Sequence, residues 1–411
     1  MKKQLMLLFV SAVVLGTDAM WAQDKVTGWN IGPLPCVSYN SDLGFQYGVC
    51  ADVFYYGDGS MFPDYMHRFY VEASRYTKGQ TLLHAQYDSK YLIPGIRVTG
   101  AVSYQYDPLY YFYGFNGAVP YEAKYDLNAD TKTARYNYQR GMLRVLLDFQ
   151  GRIADNLNWV AGTSFWNFAS QDFSSSKYLP ETSLYHQYAA LGYLSKAQAA
   201  GGSHIEAKAG LVYDTRDEEA APSKGMWAEL YLNGSPKWFG AESSYLKLVA
   251  HFRQYVSLGS DRFVFAYHLG YQDTVLGEQP FYMLPVINTL YLRQTGSEGL
   301  GGINTVRGLI QNRLTGAGYL WGNFELRARL LEFNFIGQSW YLATNPFVDA
   351  GYISRTYRED VFGSGDRYAV SAGLGLKLAM NRNFIISVEA AQVLGHSEYP
   401  MGLTIALNYI F

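Results

Sequence analysis

Charged side chains are scarce in this chain. Asp, Glu, Lys and Arg make up 17% of its 411 residues, whereas soluble domains typically carry about 25%. The formal net charge is −2, so the chain offers no excess of basic residues to attract a polyanion. We therefore expect no nucleic-acid partner, and the composition is not typical of a soluble domain.

Cysteine is almost absent, with only Cys36 and Cys50. Two cysteines exclude a disulfide-rich scaffold and do not make a metal site. They lie on either side of a predicted turn at residues 40–44 and could oppose each other across a hairpin. A disulfide, which an oxidising compartment permits, and a pair of buried reduced side chains both remain open.

Long hydrophobic runs are also missing. After the N-terminus, no segment offers the roughly 18 continuous apolar residues that a spanning helix needs. The N-terminus has two lysines, an apolar stretch at residues 5–16 and a small residue, Ala22, at a plausible cleavage site. This order is typical of a secretory signal peptide. We predict a signal peptide at residues 1–22 and a mature exported chain at residues 23–411.

Aromatic residues and glycine are abundant instead. Aromatic residues make up 17% of the chain and include 37 Tyr, and the chain also contains 41 Gly. At the C-terminal end, apolar side chains occupy every second position, which indicates a strand with one apolar face; they are Leu403, Ile405, Leu407, Tyr409 and Phe411. We predict that this stripe faces lipid and that Tyr409 and Phe411 form a C-terminal assembly signal.

The same alternation recurs along the second half of the chain. In residues 320–330, Phe324 and Leu326 alternate with Glu325 and Arg327. Charges turned to lipid would cost several kcal/mol, so in a membrane these polar faces line an enclosed pore. The pattern predicts an all-β fold, a transmembrane antiparallel up-and-down barrel of about sixteen strands. A secreted β-sandwich or β-solenoid is the alternative.

Short and long connections alternate, as in an up-and-down barrel. Short turns are predicted at residues 154–156, 258–260, 334–338 and 381–383. Long external loops are predicted at residues 112–132, 170–202, 273–316, 355–366 and 395–400. The first five strands are predicted at residues 33–39, 45–56, 68–77, 81–92 and 97–106.

The loop at residues 273–316 is too long and too apolar for a solvated tip, and structureless loops of this length are usually functional. Gly301 and Gly302 permit a tight reversal that places Arg307 at its tip. A guanidinium inside a barrel requires carboxylate partners. Glu325 and Asp349 both lie on the predicted inward faces of the following strands. We predict that these three side chains meet in the lumen as a structural lock.

Here the sequence resembles a family. Val306, Arg307 and Gly308, followed by a leucine, resemble the loop motif of the bacterial surface antigen barrels. These comprise the BamA/TamA-type outer-membrane insertases and the two-partner secretion translocators. The family also carries an acidic turn followed by Pro and Gly, which residues 213–225 match through Asp214, Arg216, Asp217, Pro222 and Gly225. The resemblance covers residues 208–411.

The resemblance implies sixteen strands, with the sixth external loop folded into the pore and its arginine bonded to Glu325 and Asp349. It also implies a weak lateral seam between residues 33–39 and 401–411. An exposed strand edge at such a seam would be available for pairing with a client. The membership would place the chain in the Gram-negative outer membrane, surrounded by lipid and inserted by the barrel assembly machinery.

Family members that handle protein clients usually carry periplasmic POTRA domains, and we find no room for one between the predicted signal peptide and the barrel. Client reception would then need a separate periplasmic accessory protein. The resemblance thus implies a non-enzymatic barrel for protein translocation or outer-membrane protein assembly. The alternative is a porin-like passive channel for small solutes, with the loop as a constriction.

No enzymatic or metal chemistry is predicted. A GxSxG nucleophile elbow is missing, which argues against a membrane-embedded hydrolase, and the seven histidines lack metal-ligand spacing. Asp214, Asp217, Glu218 and Glu219 could supply oxygen ligands to a hard cation, but a solvated turn explains them better. We expect no cofactor, and we expect His251 and His268 to be wall residues.

Overall fold

The structure is a computed structural model. It describes residues 26–411 except 63–64, 220, 241, 291–297, 336–337, 381–383 and 408. The predicted signal peptide at residues 1–22 and the predicted turn at residues 381–383 lie outside the described residues.

The described residues form sixteen antiparallel strands in one closed barrel. Each strand pairs with its neighbours in chain order, and β1 pairs with β16. This confirms the predicted fold, including the first five strands. The strands are β1 (Trp29–Asn40), β2 (Gly44–Tyr55), β3 (His67–Tyr76), β4 (Thr81–Ile93), β5 (Ile96–Tyr111), β6 (Asn137–Ala154), β7 (Leu157–Gln171), β8 (Gly201–Asp214), β9 (Gly225–Ser235), β10 (Tyr245–Ser257), β11 (Phe263–Gly277), β12 (Gly318–Phe335), β13 (Gln338–Arg355), β14 (Tyr368–Met380), β15 (Phe384–Val393) and β16 (Gly402–Leu407).

Three short helices lie in the loops: α1 (Leu184–Ala190), α2 (Lys196–Ala200) and α3 (Glu359–Phe362). Single 3-10 turns occur at Ala123–Tyr125, Pro180–Thr182, Lys237–Phe239 and Phe281–Met283. The sequence showed no helical periodicity, because helices of one or two turns are too short to display a period. Serine side chains cap α1 and α2. No helix among the described residues is long and apolar enough to cross a membrane.

The two ends of the barrel differ in their connections. At one end, the loop end, lie residues 41–43, 77–80, 112–136, 172–200, 236–240, 242–244, 278–290, 298–317, 356–367 and 394–401. At the other, the turn end, lie residues 56–62, 65–66, 94–95, 155–156, 215–219, 221–224 and 258–262. All five predicted long loops are at the loop end. We call the described residues 278–290 and 298–317 the lumen loop, because they fold back between the strands.

The wall separates apolar from charged side chains by strand parity. On β9, Leu230 is 52% exposed, whereas the adjacent Glu229 is 2% exposed. Leu374 on β14 is outward, and Lys377 three residues later is fully enclosed. Apolar side chains therefore cover the outside and ionic ones line the interior, as the alternation predicted.

The largest buried apolar cluster joins residues of the loop end to inward side chains of the wall strands. Rings from residues 112–136 and from α1 pack against the 3-10 turn of the lumen loop. Tyr185 of α1, for example, contacts Phe281 of that turn with ring centroids 6.2 Å apart. Aromatic pairs at such distances stabilise an assembly beyond the effect of area alone. The lumen loop is thus part of an ordered cap.

The two cysteines are free thiols in the structure. Cys36 lies opposite Gly48 and Cys50 lies opposite Leu34, so the cysteines are diagonal rather than directly paired. The Cys36 thiol lies 3.4 Å from Glu72 Oε1. Of the two alternatives left open by the sequence, the structure has the reduced pair.

Candidate functional site

Arg307 of the lumen loop lies among three carboxylates of the barrel wall. Its Nε and Nη2 donate to the two oxygens of Asp349 at 2.7 and 2.8 Å, a bidentate pair. Its Nη1 donates to Glu325 Oε1 at 2.7 Å and to Glu389 Oε1 at 3.1 Å. The guanidinium also lies 3.4 Å from the ring centroid of Phe347. The structure thus brings together Arg307, Glu325 and Asp349.

All members of this cluster are enclosed. Arg307 is 3% exposed, and Glu325, Asp349 and Glu389 are between 0 and 4% exposed. An ion pair removed from water is retained only when its geometry is good and its remaining polar atoms are satisfied. The neighbours meet this condition, because Arg327 donates to Glu325 at 2.8 Å and Lys377 donates to Glu389 at 2.5 Å.

Sequence reasoning missed Glu389 as a partner of Arg307. Its parity on residues 384–394 marked it as inward, but parity does not tell which inward side chains of distant strands meet. Glu389 lies on β15, and the loop crosses the lumen to reach it. Phe347 was missed for the same reason.

The loop motif reaches this position through its glycines. Gly308 has φ +86°, and a Cβ there would lie 2.9 Å from the backbone of Ala391 on β15. Only glycine tolerates both the left-handed backbone and this close approach. Val306 is fully buried and lies against Gly351 of β13. Upstream, the amide of Gly301 donates to Thr305 Oγ1 at 2.9 Å and that of Gly302 to the Leu309 carbonyl at 2.8 Å.

A second attachment holds the first half of the lumen loop. Asn288 receives hydrogen bonds from Lys247 Nζ at 2.5 Å and, at its carbonyl, from His251 Nε2 at 2.8 Å. Its own amide donates to Gln272 at 2.9 Å. His251 also stacks on His268 with ring centroids 5.2 Å apart. These two histidines were expected to be wall residues, and His251 additionally binds the loop.

The acidic turn is a closed hairpin at the turn end. Asp214 accepts hydrogen bonds from Arg216 Nε and Nη2 at 2.9 and 2.8 Å. Asp217 accepts from the amide of Ser223 at 3.0 Å. The buried Pro222 precedes Ser223, and Gly225 starts β9 with φ +98°. Within the described residues no group of three or more Asp, Glu, His or Cys side chains is arranged to hold a metal ion.

The predicted orientation of the C-terminal residues is wrong. Tyr409 and Phe411 are 7% and 3% exposed and point into the lumen. Arg327 donates to the main-chain oxygen of Phe411 at 2.8 Å and lies 4.0 Å from the Tyr409 ring centroid. Among the described residues the last one paired with β15 is Leu407, and at positions 409–411, outside the strand, the period of two no longer fixes which side faces lipid. The aromatic rings instead cover interior charge.

The seam between β1 and β16 is short. Among the described residues two pairs join these strands, Tyr39 with Ile405 and Asn40 with Thr404. By comparison, β1 and β2 form twelve pairs. Most of β1, from Trp29 to residue 38, therefore faces no paired strand on that side among the described residues. Outside the seam, an apolar groove of about 320 Å³ is lined by Val37, Tyr39, Ile405 and neighbours.

Two carboxyl groups outside the strands have raised pKa values. Burial raises the pKa of Asp42, in the β1–β2 turn, to about 6, although an amide hydrogen bond from Gln311 opposes the shift. Burial raises the pKa of Glu298, in the lumen loop, to about 7, against two hydrogen bonds from Asn304. The charge of Asp42 contributes to the shift of Glu298.

Comparison with known proteins identifies the family. The model of the Omp85 superfamily domain matches residues 69–388. The chain belongs to the Omp85 superfamily. No curated protein matches its sequence. The resemblance noted in the sequence is thereby confirmed, and as a member of this superfamily the chain is an outer-membrane β-barrel.

Solved structures agree on the fold of this Omp85 barrel. BamA from Haemophilus ducreyi lacking POTRA domains 1–3 is 15% identical, with a TM-score of 0.57, over 93% of this chain and 70% of that one. CdiB from Escherichia coli is 12% identical, with a TM-score of 0.59, over 93% of this chain and 64% of that one. The Omp85 barrel therefore spans less than two thirds of the CdiB chain, and identities this low show the fold alone.

Proposed function

We propose that this Omp85 barrel moves or inserts polypeptides at the outer membrane through its β1–β16 seam. The supporting observation is the seam itself. Among the described residues two pairs close it, so most of β1 offers unpaired carbonyl acceptors on that side, whereas its row of amide donors is interrupted at Pro33 and Pro35. An unpaired edge is a template on which another strand can add by main-chain hydrogen bonding.

The lumen loop would then be a retained plug rather than a catalytic element. Arg307 is its structural lock, with Glu325, Asp349 and Glu389 as the wall partners. A passive channel for small solutes fits less well, because the loop is hydrogen-bonded inside the lumen to both β9 and β15. We propose no enzymatic step.

Client reception would rest with a separate periplasmic subunit that carries client-binding domains. Affinity purification from detergent-solubilised outer membrane tests this part, because a stable companion with such domains should be recovered. Recovery of the barrel alone, under conditions that preserve other outer-membrane complexes, would argue against it.

Site-specific photocrosslinking tests the seam. Ile31 is 64% exposed and lies on the part of β1 that has no described partner on β16. A photoreactive residue at this position should crosslink to polypeptides during outer-membrane assembly or secretion. The matched control is Leu230 on β9, which is 52% exposed on the outer face but is paired with a neighbouring strand on both sides. Equal polypeptide crosslinking at both positions, or none at Ile31, would contradict the proposal.

A further inference from the structure

The β1–β2 turn contacts both the lumen loop and the last strand. On one side, the Ser41 amide and Oγ each donate to the Leu403 carbonyl at 3.0 Å, and the Leu403 amide donates back to Ser41 Oγ at 2.5 Å. These bonds continue the two residue pairs of the seam by one residue. Ser41 thus supplies a large part of the hydrogen bonding that closes β1 onto β16.

On the other side, the next residue holds the lumen loop. Asp42 Oδ2 accepts a hydrogen bond from the Gln311 amide at 2.9 Å. The turn that links these two contacts is itself fixed. Lys78 Nζ donates to the Ser41 carbonyl at 3.1 Å, and Tyr111 donates to the Asp42 carbonyl at 3.3 Å. A displacement on one side of so short a segment therefore strains the contact on the other.

The lumen loop also packs directly on the last two strands. A Cβ at Gly402, the first residue of β16, would lie 2.7 Å from the Gly308 Cα. Gly308 meets Ala391 of β15 equally closely. β16 has only six residues, against eighteen in β12 and β13, so it has few wall contacts of its own. The seated loop supports it from inside.

We propose that seating of the lumen loop and closure of the seam are energetically coupled, and that Ser41 and Asp42 form the clip that couples them. When the loop leaves, Asp42 loses Gln311 and the Ser41 contact to β16 weakens. When the seam opens, the loop loosens by the same free energy, since coupling between two sites is reciprocal. The clip is a property of the barrel and does not depend on which molecule crosses the seam.

Two readouts on the folded barrel in detergent test the clip. Seam closure is measured as the rate of oxidative crosslinking between cysteines replacing Tyr39 and Ile405, in a background in which Cys36 and Cys50 are serine. Loop seating is measured as amide hydrogen exchange over residues 299–314. Both are compared among Ser41→Ala, Asp42→Ala and Asp42→Asn, with Asp130→Asn, an exposed acid of the 112–136 loop, as the control.

We expect a change at the loop contact to alter seam closure, and a change at the seam contact to alter loop seating. Asp42→Ala should lower the crosslinking rate across the seam at least threefold, and Ser41→Ala should raise exchange in the loop at least threefold. Asp42→Asn keeps an acceptor for the Gln311 amide and should restore most of both values. Asp130→Asn should change neither. These variants are scored only as folded barrels, identified by their heat-modifiable migration.

The clip would be overturned by uncoupled behaviour. One such result is faster loop exchange in Asp42→Ala with an unchanged seam crosslinking rate. The other is slower crosslinking in Ser41→Ala with unchanged loop exchange. If Asp42→Ala yields no folded barrel, Ser41→Ala alone decides the question in the same way. If Ile31 did not crosslink to polypeptides, the proposed transport function would be refuted, but the coupling measured by seam crosslinking and loop exchange would still stand or fall on its own results.

Discussion

Removal of the Arg307 side chain should release the lumen loop. In Arg307→Ala, Glu325 keeps Arg327, and Glu389 keeps Lys377. Asp349 loses both hydrogen bonds from the guanidinium and keeps, in the described part of the chain, the backbone amide of residue 307. The main cost is therefore one fully buried carboxylate that has lost its cationic partner.

The expected loss of free energy of loop seating follows from these contacts. Breaking a buried ion pair by removing one partner typically costs about 3–5 kcal/mol. At about 1.4 kcal/mol for each factor of ten, the released loop becomes roughly a hundredfold to several thousandfold more populated. Amide hydrogen exchange over residues 299–314 reports this population directly when reclosing is fast. We also expect a lower yield of assembled barrel.

Two companion variants isolate the cause. Adding Asp349→Asn to Arg307→Ala removes the stranded charge and should recover part of the lost protection, so the two changes should not be additive. Arg262→Ala serves as the control, because Arg262 forms an exposed pair with Glu332 at 3.3 Å, worth less than about 1 kcal/mol. If Arg307→Ala exchanged no faster than Arg262→Ala, the lock would be refuted.

Three further outcomes are expected. Arg327→Gln should expose the C-terminal residues, seen as faster exchange at positions 409–411, because their rings lose the guanidinium over Tyr409 and Phe411; unchanged exchange would contradict this. Gly308→Ala should destabilise loop seating by at least about 1–3 kcal/mol, since both φ +86° and the contact with Ala391 oppose a methyl group; a seated loop with normal protection would refute that reading. Because the pKa values of Asp42 and Glu298 are raised while the loop is seated, to about 6 and about 7, the contribution of these two groups to seating should be complete near pH 4 and be lost as pH rises through 6 and 7. Amide exchange of the loop, corrected for its intrinsic pH dependence, measures this. The charge of Lys78 lowers the pKa of Asp42 and that of Asp126 raises it. Glu298→Gln should flatten the pH profile of loop exchange near pH 7, and an unchanged profile would contradict this.

Strand alternation was sufficient to predict the barrel because each strand is a local pattern with a fixed period. The same pattern placed Glu325 and Asp349 inward, and the requirement of a buried guanidinium for carboxylates linked them to Arg307. Glu389 was not found, because its proximity depends on how far the loop crosses the lumen. That distance is a tertiary property with no local signature.

The C-terminal residues show where a local pattern fails. Leu403 to Phe411 continue an apolar period of two, yet pairing with β15 ends at Leu407. Once the ladder ends, the side chains follow the best available contacts, which here are Arg327 and the wall rings around Tyr255. The short seam likewise could not be measured from sequence, since alternation fixes the faces of a strand but not how many of its residues pair.

Conductance in a planar lipid bilayer tests most directly the claim that a locked loop closes this barrel. The account predicts that the wild-type barrel is nearly silent and that Arg307→Ala shows frequent openings, whereas a variant lacking residues 298–315 conducts steadily. A large, steady conductance of the wild-type barrel, unchanged by either alteration, would contradict the account and favour a passive channel.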